Sequence, residues 1–149
     1  MNASPLDLLT DEELAERVEA QRLLIIHEAR EHLDVFLRHV LPIIDPGTDL
    51  KWGQYLNVMC EHLEAVHTHQ IDRLLINLPP RHLKSLLKVA FVAWVMIQDP
   101  TTQFIIASHD MGLSIRDSVA IRDLVTDEDF RRDFGITWEI KGDFGGKTY

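Results

Sequence analysis

The segment Leu78-Pro79-Pro80-Arg81-His82-Leu83-Lys84-Ser85 places two cations, an imidazole and a hydroxyl directly after a Pro-Pro pair. A lysine followed by a hydroxyl is the pair a triphosphate site needs. At the mouth of a helix the backbone amides are unpaired donors at the positive end of the dipole. The ammonium adds a full charge, and the hydroxyl can ligate a Mg²⁺ ion held by the phosphates. Lys84 and Ser85 fit those two roles. Against the phosphate-loop pattern G-x-x-x-x-G-K-S/T only this pair coincides, because Leu78 and Leu83 stand where both glycines belong. The competing interpretation is a solvated helix start after a Pro-Pro turn.

Such a site requires a buried strand feeding a helix, and the flanking pattern suggests both. Arg73-Leu74-Leu75-Ile76-Asn77-Leu78 is a short, nearly continuous apolar run of the kind expected for a strand buried on both faces. From Lys84 to Gln98 the chain lacks Gly and Pro and is heavily apolar, which predicts a buried helix ended by Asp99-Pro100. Gln103-Phe104-Ile105-Ile106-Ala107-Ser108 repeats the strand signature, and Met111 to about Val125 reads as another helix. Strand, helix and strand at this separation predict a right-handed parallel unit and hence an α/β fold.

Upstream, Thr10 and Glu13 form a capping-box pattern, so a helix is expected from Asp11, with Leu14, Val18, Ile25, Leu33, Phe36, Leu37 and Val40 along it. Pro42 and Asp45-Pro46-Gly47 are expected to end it. A second amphipathic segment carries Trp52, Tyr55, Leu56, Met59, Leu63 and Val66 on one face and is expected to stop near His69. Thr137 to Lys141 is a candidate strand, and Gly142 to Gly146 reads as loop. The organisation expected is a helical lead-in over residues 1–70 and an α/β unit over 71–149.

With 149 residues, 46% of them hydrophobic and 26% charged, the chain has the size and composition of one globular domain or a piece of a larger protein, which excludes wholesale disorder and fibre. No run approaches the roughly 18 apolar residues of a membrane span, and the acidic N-terminus lacks signal-peptide order, so a cytoplasmic location is expected. The formal charge is −9, which argues against nonspecific attraction of the whole chain to DNA. Most of it is local: between Asp7 and Asp34 nine acids face three arginines, leaving −6.

The string Ile76-Asn77-Leu78-Pro79-Pro80-Arg81-His82-Leu83-Lys84-Ser85 resembles the divergent Walker A segment of the large terminase subunit of tailed bacteriophages and prophages. Many members of that family read Pro-Pro-Arg-His-Gly-Lys-Ser here, so Leu83 is the departure. Phe104 to Asp110, followed by Ser114, Arg116, Ser118 and Arg122, resembles the family's next strand and helix. Trp52 with Gln54 and Tyr55 resembles the segment ahead of the ATPase strand. The resemblance spans roughly residues 35 to 135. It implies a partial P-loop NTPase-like parallel sheet and a motor that couples ATP hydrolysis to DNA packaging into a capsid, with a nuclease domain in the full-length family. By carry-over, Pro80, Arg81, His82, Leu83, Lys84 and Ser85 form the nucleotide loop. Lys84 would hold the β- and γ-phosphates, Ser85 the Mg²⁺, and Arg81 the γ-phosphate charge. Trp52 and Gln54 would approach the adenine. The implied cofactors are ATP and Mg²⁺. The implied partners are double-stranded DNA, a portal protein, a small terminase subunit and further copies of the chain, in a bacterial host cell.

Hydrolysis in this class needs a Walker B acid and a glutamate that activates water. Asp127-Glu128 is a poor candidate, since only Leu124-Val125 precede it, and a solvated helix end explains it better. The chain is therefore expected to be an amino-terminal portion, ending before Walker B and the nuclease. Ser108 and Asp110, at the carboxyl end of the second predicted strand, are candidates for responding to nucleotide state. Arg116, Arg122, Arg131 and Arg132 are candidates for DNA or subunit contacts, against the plainer reading of solvated arginines. The eight histidines include no i,i+4 pair, so helical zinc geometry is absent, and Cys60 reads as a small buried hydrophobe. The rival function is a noncatalytic protein-interaction module whose acidic first helix docks a partner. A small-molecule kinase is a third reading, but no residue identifies its acceptor.

Overall fold

A computed structural model describes residues 10–47 and 52–140. Six helices follow one another: α1 (Asp11–Glu31), α2 (Leu33–Ile44), α3 (Gln54–His67), α4 (Lys84–Gln98), α5 (Met111–Thr126) and α6 (Glu128–Asp133). The described residues contain no strand, so the expected α/β fold with a parallel sheet is overturned and the described residues are all-helical.

The two apolar runs explain the error. Residues 73–79 and 102–108 have no regular secondary structure and exchange no backbone hydrogen bonds with each other. Their burial alternates: Leu74, Ile76 and Leu78, then Phe104 and Ile106, turn partly inward, while Leu75 and Ile105 are 92% and 97% exposed. A strand buried on both faces needs neighbours along both edges and a layer over each face. Here the helices cover one side only. The third candidate strand also fails over Thr137–Ile140, and Lys141 with the expected loop 142–146 lies outside the described residues.

The helix containing Thr10 and Glu13 starts as expected, with both capping-box bonds formed. It breaks at His32 rather than at Pro42. His32 adopts an extended conformation, its N–H closes α1 on the Glu28 carbonyl, and α2 begins one residue later and runs through Pro42 to Ile44. Glu64 of α3 accepts the Leu33 N–H at 2.6 Å, placing a carboxylate on the positive end of α2.

The core forms around α4, whose Leu87, Val89, Ala90, Val92, Ala93, Trp94 and Val95 are all buried. Leu33, Phe36, Leu37 and Val40 of α2 cover it on one side, and Ile121, Leu124 and Val125 of α5 on another. The second half of α1 joins through Ile26 and Ala29, and the Trp94 indole donates to the Ala29 carbonyl at 3.0 Å. Phe130 and Phe134 close the far side against Phe36, with ring centroids 6.0 and 5.3 Å away. Asp133, almost fully buried, receives Arg22 of α1 and lies 3.0 Å from the His39 ring nitrogen of α2, tying three helices together.

A second buried carboxylate joins α4 to α5. Asp117 is 4% exposed and pairs with Lys88 of α4 and with its neighbour Arg116. Burial by itself raises its pKa, but the hydrogen bonds and charges of Lys88 and Arg116 outweigh that and hold the carboxyl below its ordinary range. A depressed carboxylate pKa contributes stability that is present above the unfolded value, roughly 4. That stability is lost as pH falls through the folded value. Asp117→Asn is therefore expected to cost about 2 kcal/mol at neutral pH, less than for a fully enclosed pair because both cations reach water. Urea denaturation across pH should show the gap between variant and wild type closing below about pH 4.

Candidate functional site

The chain arrives at α4 through a turn that no glycine relaxes. After Pro79-Pro80, Arg81 has φ 66° and Leu83 φ 56°, both in the left-handed region that costs an L-residue about 1–2 kcal/mol. Leu83 is the residue that stands where the phosphate-loop pattern has its second glycine. The backbone therefore takes the left-handed conformation that glycine accommodates most readily, although the residue is leucine. Three contacts maintain it. The Leu83 side chain packs against the core, the His82 Nδ1 lies 3.0 Å from the Pro80 carbonyl, and the Lys84 ammonium reaches back to donate to the Leu78 carbonyl.

This entry leaves the helix mouth open. Leu83 caps α4 without a side-chain bond, and no acid occupies the first turn. The Leu87 N–H bonds to the Leu83 carbonyl, but the amides of Lys84, Ser85 and Leu86 have no acceptor among the described residues. Arg81, Lys84 and Ser85 are exposed, and neither cation has a carboxylate partner among the described residues. The result is a concentration of donors and positive charge suited to an anion.

Of the other expected site residues, His82 belongs to the loop and its ring meets Tyr55 of α3 edge-on at 5.5 Å. Tyr55 thus brings α3 to the loop, a contact that its place on an amphipathic face did not specify. Trp52 is committed elsewhere: its ring lies under the Arg38 guanidinium at 3.5 Å, and its indole donates to Asn57 at 2.6 Å. Gln54 is exposed at the first position of α3. Ser108 is exposed, and Asp110 caps α5 by accepting the Leu113 N–H at 3.1 Å. Lys88 of α4 pairs with Asp117 midway along α5, and Val92 and Met96 of α4 line one cavity with Ile121 and Val125 of α5, so the two helices run in the same direction and begin at the same end of the molecule. Asp110 and the loop share that end.

Lys88 and Asp117 were missed in the sequence. An acid within an apolar helix pattern is the one signal Asp117 offered, and its partner lies 29 residues away. The four candidate DNA-contacting arginines are held within the chain. Arg116 pairs with Asp117, Arg122 with Asp123, Arg132 with Asp129, and Arg131 with the carbonyls of Ile136 and Trp138. Asp127 caps α6 by accepting the Phe130 N–H at 2.9 Å, which accounts for it without a metal role. The described residues contain no cluster of metal ligands. Cys60 is buried, and that burial pushes its thiol up to about 12, so it stays protonated at neutral pH. No helix among the described residues is long and apolar enough to cross a membrane.

A cavity of about 460 Å³ lies further along α4, lined by apolar residues such as Val92, Phe104 and Ile121 and by the polar Gln103, Ser118 and Arg122. It does not include the loop. Comparison with protein-family models, curated proteins and solved structures finds no match to this chain.

The strain at Leu83 is open to measurement. Leu83→Ile conserves volume but puts a β-branched side chain at φ 56°, where branching is least tolerated. A loss of about 1 kcal/mol in thermal or urea unfolding is expected. An unchanged stability would mean that residue 83 is not left-handed.

Proposed function

We propose that this chain is the nucleotide-binding amino-terminal portion of a DNA-packaging motor of the large-terminase type, with ATP and Mg²⁺ as its ligands. The observation that supports this reading most directly is the left-handed turn at Arg81 and Leu83, which delivers three unpartnered amides and Lys84 to the open end of α4. A bare Lys-Ser pair would not require that turn. The position of Leu83 links the backbone conformation to the Pro-Pro-Arg-His-x-Lys-Ser string on which the resemblance rests.

The buried strand expected ahead of the loop is absent among the described residues, so the reading rests on the loop and the start of α4 alone, where the side chains suit a triphosphate with its metal. Lys84 donates to a neutral carbonyl, and a phosphate oxygen is the stronger acceptor for an ammonium. Ser85 has an exposed hydroxyl with no partner among the described residues, available to the ion that the phosphates carry. Arg81, also exposed, adds charge for the terminal phosphate. Trp52 takes no part in this reading, because its ring and indole are already engaged by Arg38 and Asn57. Binding is the role assigned to residues 78–85. Hydrolysis, DNA, the portal protein, the small subunit and assembly of copies belong to the complete motor and come from the resemblance.

Titration of the full chain with a fluorescent ATP analogue, with and without Mg²⁺, tests the reading. Binding that Mg²⁺ strengthens is expected in the wild type. Lys84→Ala should weaken it about ten- to a hundredfold, the equivalent of one charge-assisted contact of roughly 1.5–3 kcal/mol. Ser85→Ala should remove the Mg²⁺ increment with little effect on metal-free binding. Equal binding by wild type and Lys84→Ala, with helicity unchanged by circular dichroism, would show that Lys84 is not a phosphate ligand.

A further inference from the structure

The first four turns of α1 stand clear of the rest of the molecule. Residues 11–21 are all exposed, and burial begins only at Ile26. The segment is nonetheless well formed, because the Thr10–Glu13 capping box closes its start and Arg22 anchors its root to Asp133. It carries apolar residues that the other described residues leave exposed: Leu14 is 44% exposed, Val18 59% and Ile25 39%. Their spacings of four and seven place them within about 40° of one another around the helix, a narrow seam of the kind that pairs with another helix. Leu24, 64% exposed, lies beside it. Leu23 points to the opposite side at this periodicity.

Charge decides what can lie on the seam. Over residues 11–25 there are five acids, Asp11, Glu12, Glu13, Glu16 and Glu19, against Arg17 and Arg22. Arg22 is already spent on Glu19 and Asp133, so only Arg17 is available to a partner. A second copy would set two such arms side by side, each on a chain of net charge −9. Anionic lipid and nucleic acid are repelled for the same reason. An amphipathic helix with lysines or arginines beside its own apolar seam satisfies both demands at once. Helices packed about 8–10 Å apart bring flanking side chains within reach of each other.

We propose that the projecting half of α1 is a docking arm for a basic amphipathic helix of another protein, received along Leu14, Val18 and Ile25. The arm is independent of the phosphate loop, and its test involves no nucleotide. The seam from Leu14 to Ile25 runs about 17 Å at about 1.5 Å per residue, so the contact is small and weak.

The test titrates the full chain into a fluorescently labelled synthetic helix with leucines at i, i+3, i+7 and i+10 and lysines flanking them, and reads anisotropy. A second peptide keeps the leucine seam but has glutamates in place of the lysines. The expected result is that the lysine peptide binds, that added salt weakens it, and that the glutamate peptide does not bind. Val18→Asp, an exposed substitution checked for helicity by circular dichroism, should weaken binding about tenfold or more. Leu23→Ala, on the opposite side, should leave it unchanged. Failure of the lysine peptide to bind, equal binding of both peptides, or an unaltered Val18→Asp overturns the proposal. Sedimentation showing a dimer that Val18→Asp dissociates also overturns it, by making a second copy the occupant.

Discussion

Seven of the fifteen residues of α4 are shut away from solvent, and they lie all around the helix rather than along one stripe. A helix apolar around its circumference exists in water only inside a shell of other elements, and the arrangement of this chain follows from building that shell. Helix α2 supplies the largest apolar face, α5 the next, and the second half of α1 fills the remaining gap. Two buried carboxylates fasten the shell at points where apolar contact alone would let helices slide: Asp117 between α4 and α5, and Asp133 among α1, α2 and α6. Each is satisfied by cations, as a buried carboxylate must be.

Fixing α4 also fixes its open end. The turn at Arg81 and Leu83 stores strain, and the strain persists because the structure on either side determines it. Leu83 cannot leave without exposing a side chain packed on the core, and Lys84 holds the turn closed from the other side through the Leu78 carbonyl. The same contacts that keep the helix mouth open thus derive from the burial of the helix behind it. Preorganised donors of this kind need little rearrangement to meet an anion.

What the sequence revealed was mostly local. The bounds of α4 at Lys84 and Gln98 were legible because an apolar run without Gly or Pro lay between a Pro-Pro turn and Asp99-Pro100. The start of α1 was legible because Thr10 and Glu13 are three residues apart. The break at His32 was not, since the carboxylate that caps α2 comes from Glu64, 31 residues further on. The absent sheet was illegible for a related reason. A run such as Arg73–Leu78 gives period and polarity, but whether neighbours flank it is a fact about the rest of the fold. The short α6 escaped because Thr126 to Asp129 reads as the solvated end of α5, whereas the Asp127 carboxylate starts a new helix by accepting the Phe130 N–H. At the candidate site, the types of Lys84 and Ser85 were legible. The left-handed backbone beneath them was not, because leucine ordinarily argues against it.

The distribution of charge connects the arm with the loop. Acids are concentrated in the first helix, while the arginines of α5 and α6 are committed to carboxylates or carbonyls within the chain. Arg81 and Lys84 stand apart from this pattern, side by side with the positive end of a helix and without an acid in its first turn. For structure alone that arrangement is unfavourable, since like charges meet a dipole of the same sign and the two residues before Lys84 are held in a turn that includes a strained leucine. A carboxylate at either of the first two helical positions would have relieved the repulsion at no cost to the core. Its absence leaves unneutralised positive charge at this corner of the molecule, the feature on which the proposed phosphate role rests.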